Sequence, residues 1–170
     1  NNYGQLAVAW DRDKPDIRPA AFNRIITPVN YASFITDLLG VKFIMSLGPL
    51  KSEKLEYLSK EGETYLYANK KVFPRAFLVD KTVKTENAQE TIDEMFNLAG
   101  DLRSTAVVNE NIEIDPTSLQ SGEKVDITDY SPNNITLSSN TMTTRLLVLT
   151  DIYYPGWQVY IDDAKTKIYR

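Results

Sequence analysis

Between residues 30 and 109, continuous apolar runs alternate with stretches whose apolar residues recur every three or four positions. Tyr31 to Leu39 places Phe34, Ile35, Leu38 and Leu39 on one side of a helix, and Val41 to Ser46 reads as a buried strand. Leu50 to Lys60 predicts a helix that begins at polar Ser52 and stops before Gly62. Glu63 to Ala68 and Arg75 to Asp80 predict strands on either side of a Pro74 turn. Glu86 to Leu98 carries Ile92, Met95 and Phe96 at helical spacing, extended by Ala99 and ended by Gly100, and Thr105 to Val108 closes the region as a strand. This β-α-β order predicts a small α/β layer in which helices cover sheet faces.

Further on, the runs become short and alternating. Val125 to Tyr130, Asn134 to Ser138, Leu146 to Thr150, Gln158 to Asp162 and Thr166 to Tyr169 are strand candidates separated by polar turns such as Ser131-Pro-Asn-Asn134, a pattern that favours an antiparallel β-sandwich. Asp115 to Lys124, with Pro116 and Gly122, reads as the boundary loop. The expected fold class is α+β: a small α/β region over residues 1–114, then a β-sandwich-like region over 115–170, packed together as one unit. At the start of the chain Leu6 to Trp10 is a strand candidate, followed by the turn-rich run Asp11 to Asp16.

The densest local signal lies in Leu146 to Asp163. Leu146 to Leu149 is a continuous apolar run that suits a strand covered on both faces. Pro155-Gly156 then supplies a fixed φ followed by a residue free to take positive φ, which predicts a hairpin. Beyond the turn, Trp157, Val159 and Ile161 fall on one face of the returning strand and Gln158, Tyr160 and Asp162 on the other.

Tyr153-Tyr-Pro-Gly-Trp157 resembles a signature of the YfhO family of bacterial multi-spanning membrane proteins. Leu38 to Met45 is similar to a strand entry of that family, and Tyr67 to Val79, with Asn69 and Pro74-Arg-Ala-Phe77, is similar to another of its blocks. The three blocks stand in the family's order and span most of residues 30–163. The resemblance implies the C-terminal extracytoplasmic region of a GT-C-like polytopic glycosyltransferase that uses polyprenyl-phosphate-linked sugars, some members modifying cell-wall polymers such as lipoteichoic acid. It implies a location at the extracytoplasmic face of the bacterial membrane and the transmembrane region of the same polypeptide as a partner. The family's catalytic acids lie near its first membrane helices, so no catalytic residue carries over to this chain. On the same resemblance the sandwich lacks its last strands, and concentrated protein is expected to associate edge to edge, which sedimentation would show.

Composition narrows the chemistry. The chain has 170 residues and a net charge of -4, with neither cysteine nor histidine. Lys and Arg never run beyond two adjacent residues, which argues against nucleic acid and against adsorption to anionic lipid. Without His or Cys, a Ser-His-Asp triad, a Cys-His nucleophile and the usual zinc sites are excluded within this sequence, and no metal or cofactor is expected. No apolar run is long enough to span a bilayer, so the chain is expected to be a soluble piece of its parent.

Tyr153, Tyr154, Trp157 and Tyr160, with Asp162 beside them, are the candidate ligand-binding residues. Flat aromatic rings suit the C–H face of a sugar, and Asp151, Gln158 and Asp162 could meet its hydroxyl rim. The opposing reading makes Trp157 a core anchor and packs the tyrosines on the sandwich end. Arg75 is a further candidate, since a guanidinium at a strand entry can hold a phosphate or carboxylate bidentately; an ion pair within the fold is the plainer role. Asp11, Asp13 and Asp16 lack the donor spacing and glycine turn of a calcium loop and read as a solvated turn. Asp162 and Asp163, on opposite faces of a strand, do not form a catalytic dyad. The expected function is therefore non-catalytic: positioning a glycan, a cell-wall polymer acceptor or a polyprenyl-linked sugar. The alternative is a structural or partner-docking domain without sugar affinity, in which the aromatic turn is buried.

Overall fold

The computed structural model describes residues 2–18 and 30–169. The fold is α+β, with short strands in several small sheets and few helices. The chain divides into two compact units, Asn1–Arg75 and Ala76–Arg170, and the expected boundary loop at 115–124 lies inside the second.

The first unit opens with helix α1 (Asn2–Arg12), where a strand was expected at Leu6 to Trp10. Ala7 and Ala9 are strong helix formers and are buried in it, and Trp10 donates its indole N–H to Thr36 Oγ1 at 3.0 Å. That contact, 26 residues away in sequence, is invisible to a local pattern. Helix α2 (Phe34–Leu38) starts at Ser33, whose hydroxyl accepts from the Ile35 N–H, and it buries Ile35 completely.

Strands β1 (Phe43–Ser46), β2 (Leu55–Glu61) and β3 (Thr64–Asn69) form an antiparallel sheet in the order β1-β3-β2. The helix expected over Leu50 to Lys60 is thus mostly strand. The cause lies at Gly62, whose φ of 57° is required at the first loop position of a tight hairpin pairing Glu61 with Thr64. Tyr57 then meets Tyr67 across the hairpin, ring edge to ring face, with centroids 5.9 Å apart. Within Val41 to Ser46, Phe43–Ser46 does become strand β1, but at the sheet edge with Phe43 and Met45 exposed, where a buried strand was expected.

In the second unit, strand β4 (Ala76–Val79) leads into β5 (Lys81–Lys84), helix α3 (Ala88–Asn97) and β6 (Thr105–Val108), and β5 and β6 run parallel. Helix α3 and strand β6 stand where they were expected, but the strand parallel to β6 is Lys81–Lys84, which the pattern did not single out; the expected strand at Arg75 to Asp80 is β4 and pairs elsewhere. Asn87 caps α3 by accepting from the Glu90 N–H, while the Glu90 carboxylate reaches back to the Glu86 N–H at 2.7 Å. Ile92, Leu78, Val79, Leu102 and Val108 are buried within this unit. Strands β7 (Lys124–Ser131) and β8 (Asn134–Asn140) make an antiparallel hairpin around Pro132-Asn133.

Strand β9 (Leu146–Leu149) pairs antiparallel with β4, and β10 (Val159–Ile161) pairs with β11 (Ala164–Thr166). The hairpin expected between β9 and β10 is therefore absent. Leu146-Leu-Val-Leu149 instead meets the equally apolar Ala76-Phe-Leu-Val79, a match for a run with no polar face. The last strand falls at Ala164–Thr166 rather than Thr166 to Tyr169, because the chain reverses at Asp162-Asp163.

Candidate functional site

The Pro-Gly turn forms as a local device. Trp157 N–H donates to the Tyr154 carbonyl at 3.1 Å, with Pro155 at the first corner and Gly156, φ 120°, at the second. Only glycine adopts that φ without strain, and proline fixes the corner before it. The turn joins β9 to β10 without pairing them and presents the preceding side chains to solvent. Tyr154 is 71% exposed, Tyr153 41% and Tyr160 56%, and Ile152 and Ile161 are exposed beside them. Trp157 and Val159 are half-buried, as expected for one face of a strand, but Ile161 breaks that alternation.

Two hydroxyls are fixed by neighbours. Tyr130 donates to Asp151 Oδ2 at 2.8 Å, and Asp151 Oδ1 accepts from the Ile152 N–H at 2.8 Å. Tyr160 donates to Gln158 Oε1 at 2.8 Å. Tyr130, 21 residues from Asp151 in sequence, is the member of this cluster that local reading missed; no feature of its own strand announced it.

Asp162 does not stand on a strand. It occupies, with Asp163, a two-residue loop closing the β10-β11 hairpin, with φ of 49° and 66° respectively. Positive φ at both positions marks the turn type whose twist fits a tight hairpin, and Asp tolerates it less well than glycine. Replacing Asp163 by glycine should stabilise the hairpin by about 1 kcal/mol, seen as slower amide exchange at Tyr160 and Lys165.

Arg75 is exposed and ends the first unit. In the N-terminal acidic run, Asp16 binds Arg18 through both carboxylate oxygens, at 2.9 and 2.7 Å, and Arg12 at 3.0 Å. The Arg18 hydrogen bonds hold its carboxyl far below the usual range. Guanidinium groups thus occupy the oxygens a cation would need. A groove of about 300 Å³ lies on the first unit's sheet, lined by Met45, Ser59, Glu61, Thr64 and Leu66. The sequence-derived candidates do not line it.

Comparisons with protein families, with curated proteins and with solved structures give no match. Among the described residues, no helix is long and apolar enough to cross a membrane.

Proposed function

We propose that this chain is a non-catalytic extracytoplasmic domain of a multi-spanning, glycosyltransferase-like membrane protein, and that its aromatic turn positions a glycan or cell-wall polymer acceptor. The carrying observation is the exposure of Tyr153, Tyr154 and Tyr160 beside the acceptor groups of Asp151 and Gln158. Aromatic rings left in water by the fold are available to stack on sugar C–H faces, and neighbouring carboxylate and amide oxygens can accept from hydroxyls. The resemblance of the Tyr-Tyr-Pro-Gly-Trp block supplies the membrane setting, with the transmembrane part of the parent as the natural partner and a polyprenyl-linked sugar as the donor.

A second reading is favoured by the exposed Ile152 and Ile161, which offer no hydrogen bond and suit a partner-docking surface. Titration with an N-acetylglucosamine tetramer, read by tryptophan fluorescence, separates the two. Binding should weaken roughly 5- to 10-fold in Tyr154→Ala, the loss of one stacking contact, with the fold intact by circular dichroism. Saturable binding untouched by that substitution moves the site elsewhere. No binding by the wild-type chain leaves the docking reading.

A further inference from the structure

We infer that the outward face of the first unit's sheet pairs with the same face of a second copy of this chain. Strand register sets which side chains share that face. Phe43 stands opposite Ala68 and Met45 opposite Leu66, while Glu56, Ser59 and Glu61 of β2 stand opposite Ala68, Leu66 and Thr64. The other face carries Tyr67 and Asn69, both buried. On the outward face Phe43 and Met45 are exposed, Met45 at 74%, and exposed Leu47 follows at the same spacing. No charged residue lies between Lys42 and Lys51. Strand β1 is thus an apolar edge, whereas β2, the other edge, is broken by a register shift between Tyr57 and Ser59 and carries Glu56 and Glu61.

This face holds both halves of a contact with itself. The groove of about 300 Å³ is lined by Met45, Ser59, Glu61, Thr64 and Leu66, so it opens at the level of Met45 along the strands. A two-fold axis parallel to the strands, over β3, lays β1 of each copy across β2 of the other without changing level. Met45 of one copy then meets the groove of the other beside Leu66 and Ser59. The same rotation joins opposite charges. Lys42 precedes Phe43, and its ammonium lies 5.6 Å from the Phe43 ring centroid, which carries the charge to the apolar face. Glu56 stands at the Phe43 level on the far edge, since both are register partners of Ala68. Lys42 of each copy therefore falls by Glu56 of the other, and two ion pairs flank the apolar centre. Three short strands a side make a small interface, of the weak and reversible class.

Sedimentation equilibrium of the chain from ~10 µM to ~1 mM tests the pairing, since an interface of this size binds more weakly than about 1 µM. Met45→Glu should weaken self-association at least ~10-fold, with circular dichroism unchanged, by placing a charge in each groove. Lys42→Glu and Glu56→Lys should each weaken it about 5- to 10-fold, and mixing those two variants should restore it, because each supplies the charge the other lacks. A chain that stays monomeric throughout that range overturns the pairing, as does one that stays monomeric and floats with phosphatidylcholine vesicles. Self-association untouched by Met45→Glu overturns it too and moves the contact to another surface. Loss in both charge variants without recovery in the mixture overturns the two-fold arrangement.

Discussion

Asp37→Ala should destabilise the first unit by about 3–5 kcal/mol, the cost of removing one partner from a buried ion pair. Asp37 Oδ1 accepts from Lys54 Nζ at 2.6 Å and from Asn69 Nδ2 at 2.7 Å, and the Asp37 and Lys54 side chains are nearly buried. Lys54 also donates to the Ser33 carbonyl at 2.8 Å, and Asn69 donates to the Val41 carbonyl at 3.0 Å while accepting from the Lys71 N–H. One carboxylate thus fastens α2 to the entry of β2 and the end of β3. Alanine leaves an ammonium and an amide buried without their shared acceptor. Urea denaturation followed at Trp10, in a Trp157→Phe background, reads the first unit, and an unchanged slope with a lower midpoint is the expected form. Replacing the pair together, Asp37→Leu with Lys54→Met, should recover most of the loss, because no lone charge remains. A loss as large in the paired variant as in Asp37→Ala would show that the network does more than satisfy itself.

The second large effect is acid sensitivity in the second unit. Glu123 and Arg145 form a two-pronged pair, Nε to Oε1 at 2.9 Å and Nη2 to Oε2 at 2.7 Å, with side chains 0% and 1% exposed respectively. Arg145 further donates to the carbonyls of Asp115 and Thr117, and Glu123 accepts from the N–H groups of Gln120 and Met142. The pair latches the 115–124 loop to the segment entering β9. The Arg145 hydrogen bond, followed by that from Gln120, lowers the Glu123 carboxyl from 4.5 to about 2. The depressed value means that the unfolded chain takes up protons first as pH falls. The latch therefore contributes in full above pH 4.5 and is lost progressively towards pH 2. Melting of the second unit, followed at Trp157 in a Trp10→Phe background, should become steeply pH-dependent in that window. Glu123→Gln should flatten the dependence. At pH 7, Arg145→Met should lower the melting temperature by about 10 °C, since it strands a carboxylate without its guanidinium. A wild-type profile flat from pH 5 to pH 2.5 would remove the latch from the account of stability.

The block resemblance and the first of these networks meet around Asn69. Asn69, prominent in the Tyr67-to-Val79 block, belongs to the Asp37 cluster, so its role in this fold is structural. The aromatic block differs. Trp157 is half-buried whereas Tyr154 projects into water, so the residues of this short motif differ in exposure.

The sequence by itself determined elements whose signals are local. Helix α3 followed from helical spacing around Ile92 and the Gly100 stop, though its partner strand β5 did not. The β7-β8 hairpin followed from Ser131-Pro-Asn-Asn134, and the turn at Pro155-Gly156 from the φ preferences of those two residues. Period, caps and turn chemistry act within a few residues, and they can be read there. Tertiary structure decided what needed a distant partner. Leu6 to Trp10 became helical with Thr36 as its indole's acceptor, and Leu146 to Leu149 took Ala76 to Val79 for its strand neighbour instead of the strand after the turn. Leu55 to Lys60 became strand because Gly62 closed a hairpin that let Tyr57 meet Tyr67, outweighing a helical pattern. For the candidate site, the sequence supplied the aromatic residues and the acids. The placing of Asp162 in a turn and the Tyr130 hydroxyl on Asp151 came from pairings across 3 to 21 positions, and the exposure of the tyrosines is legible only in the folded chain. An apolar pattern states what a residue can bury; which neighbour arrives to bury it is settled only when the whole chain has packed.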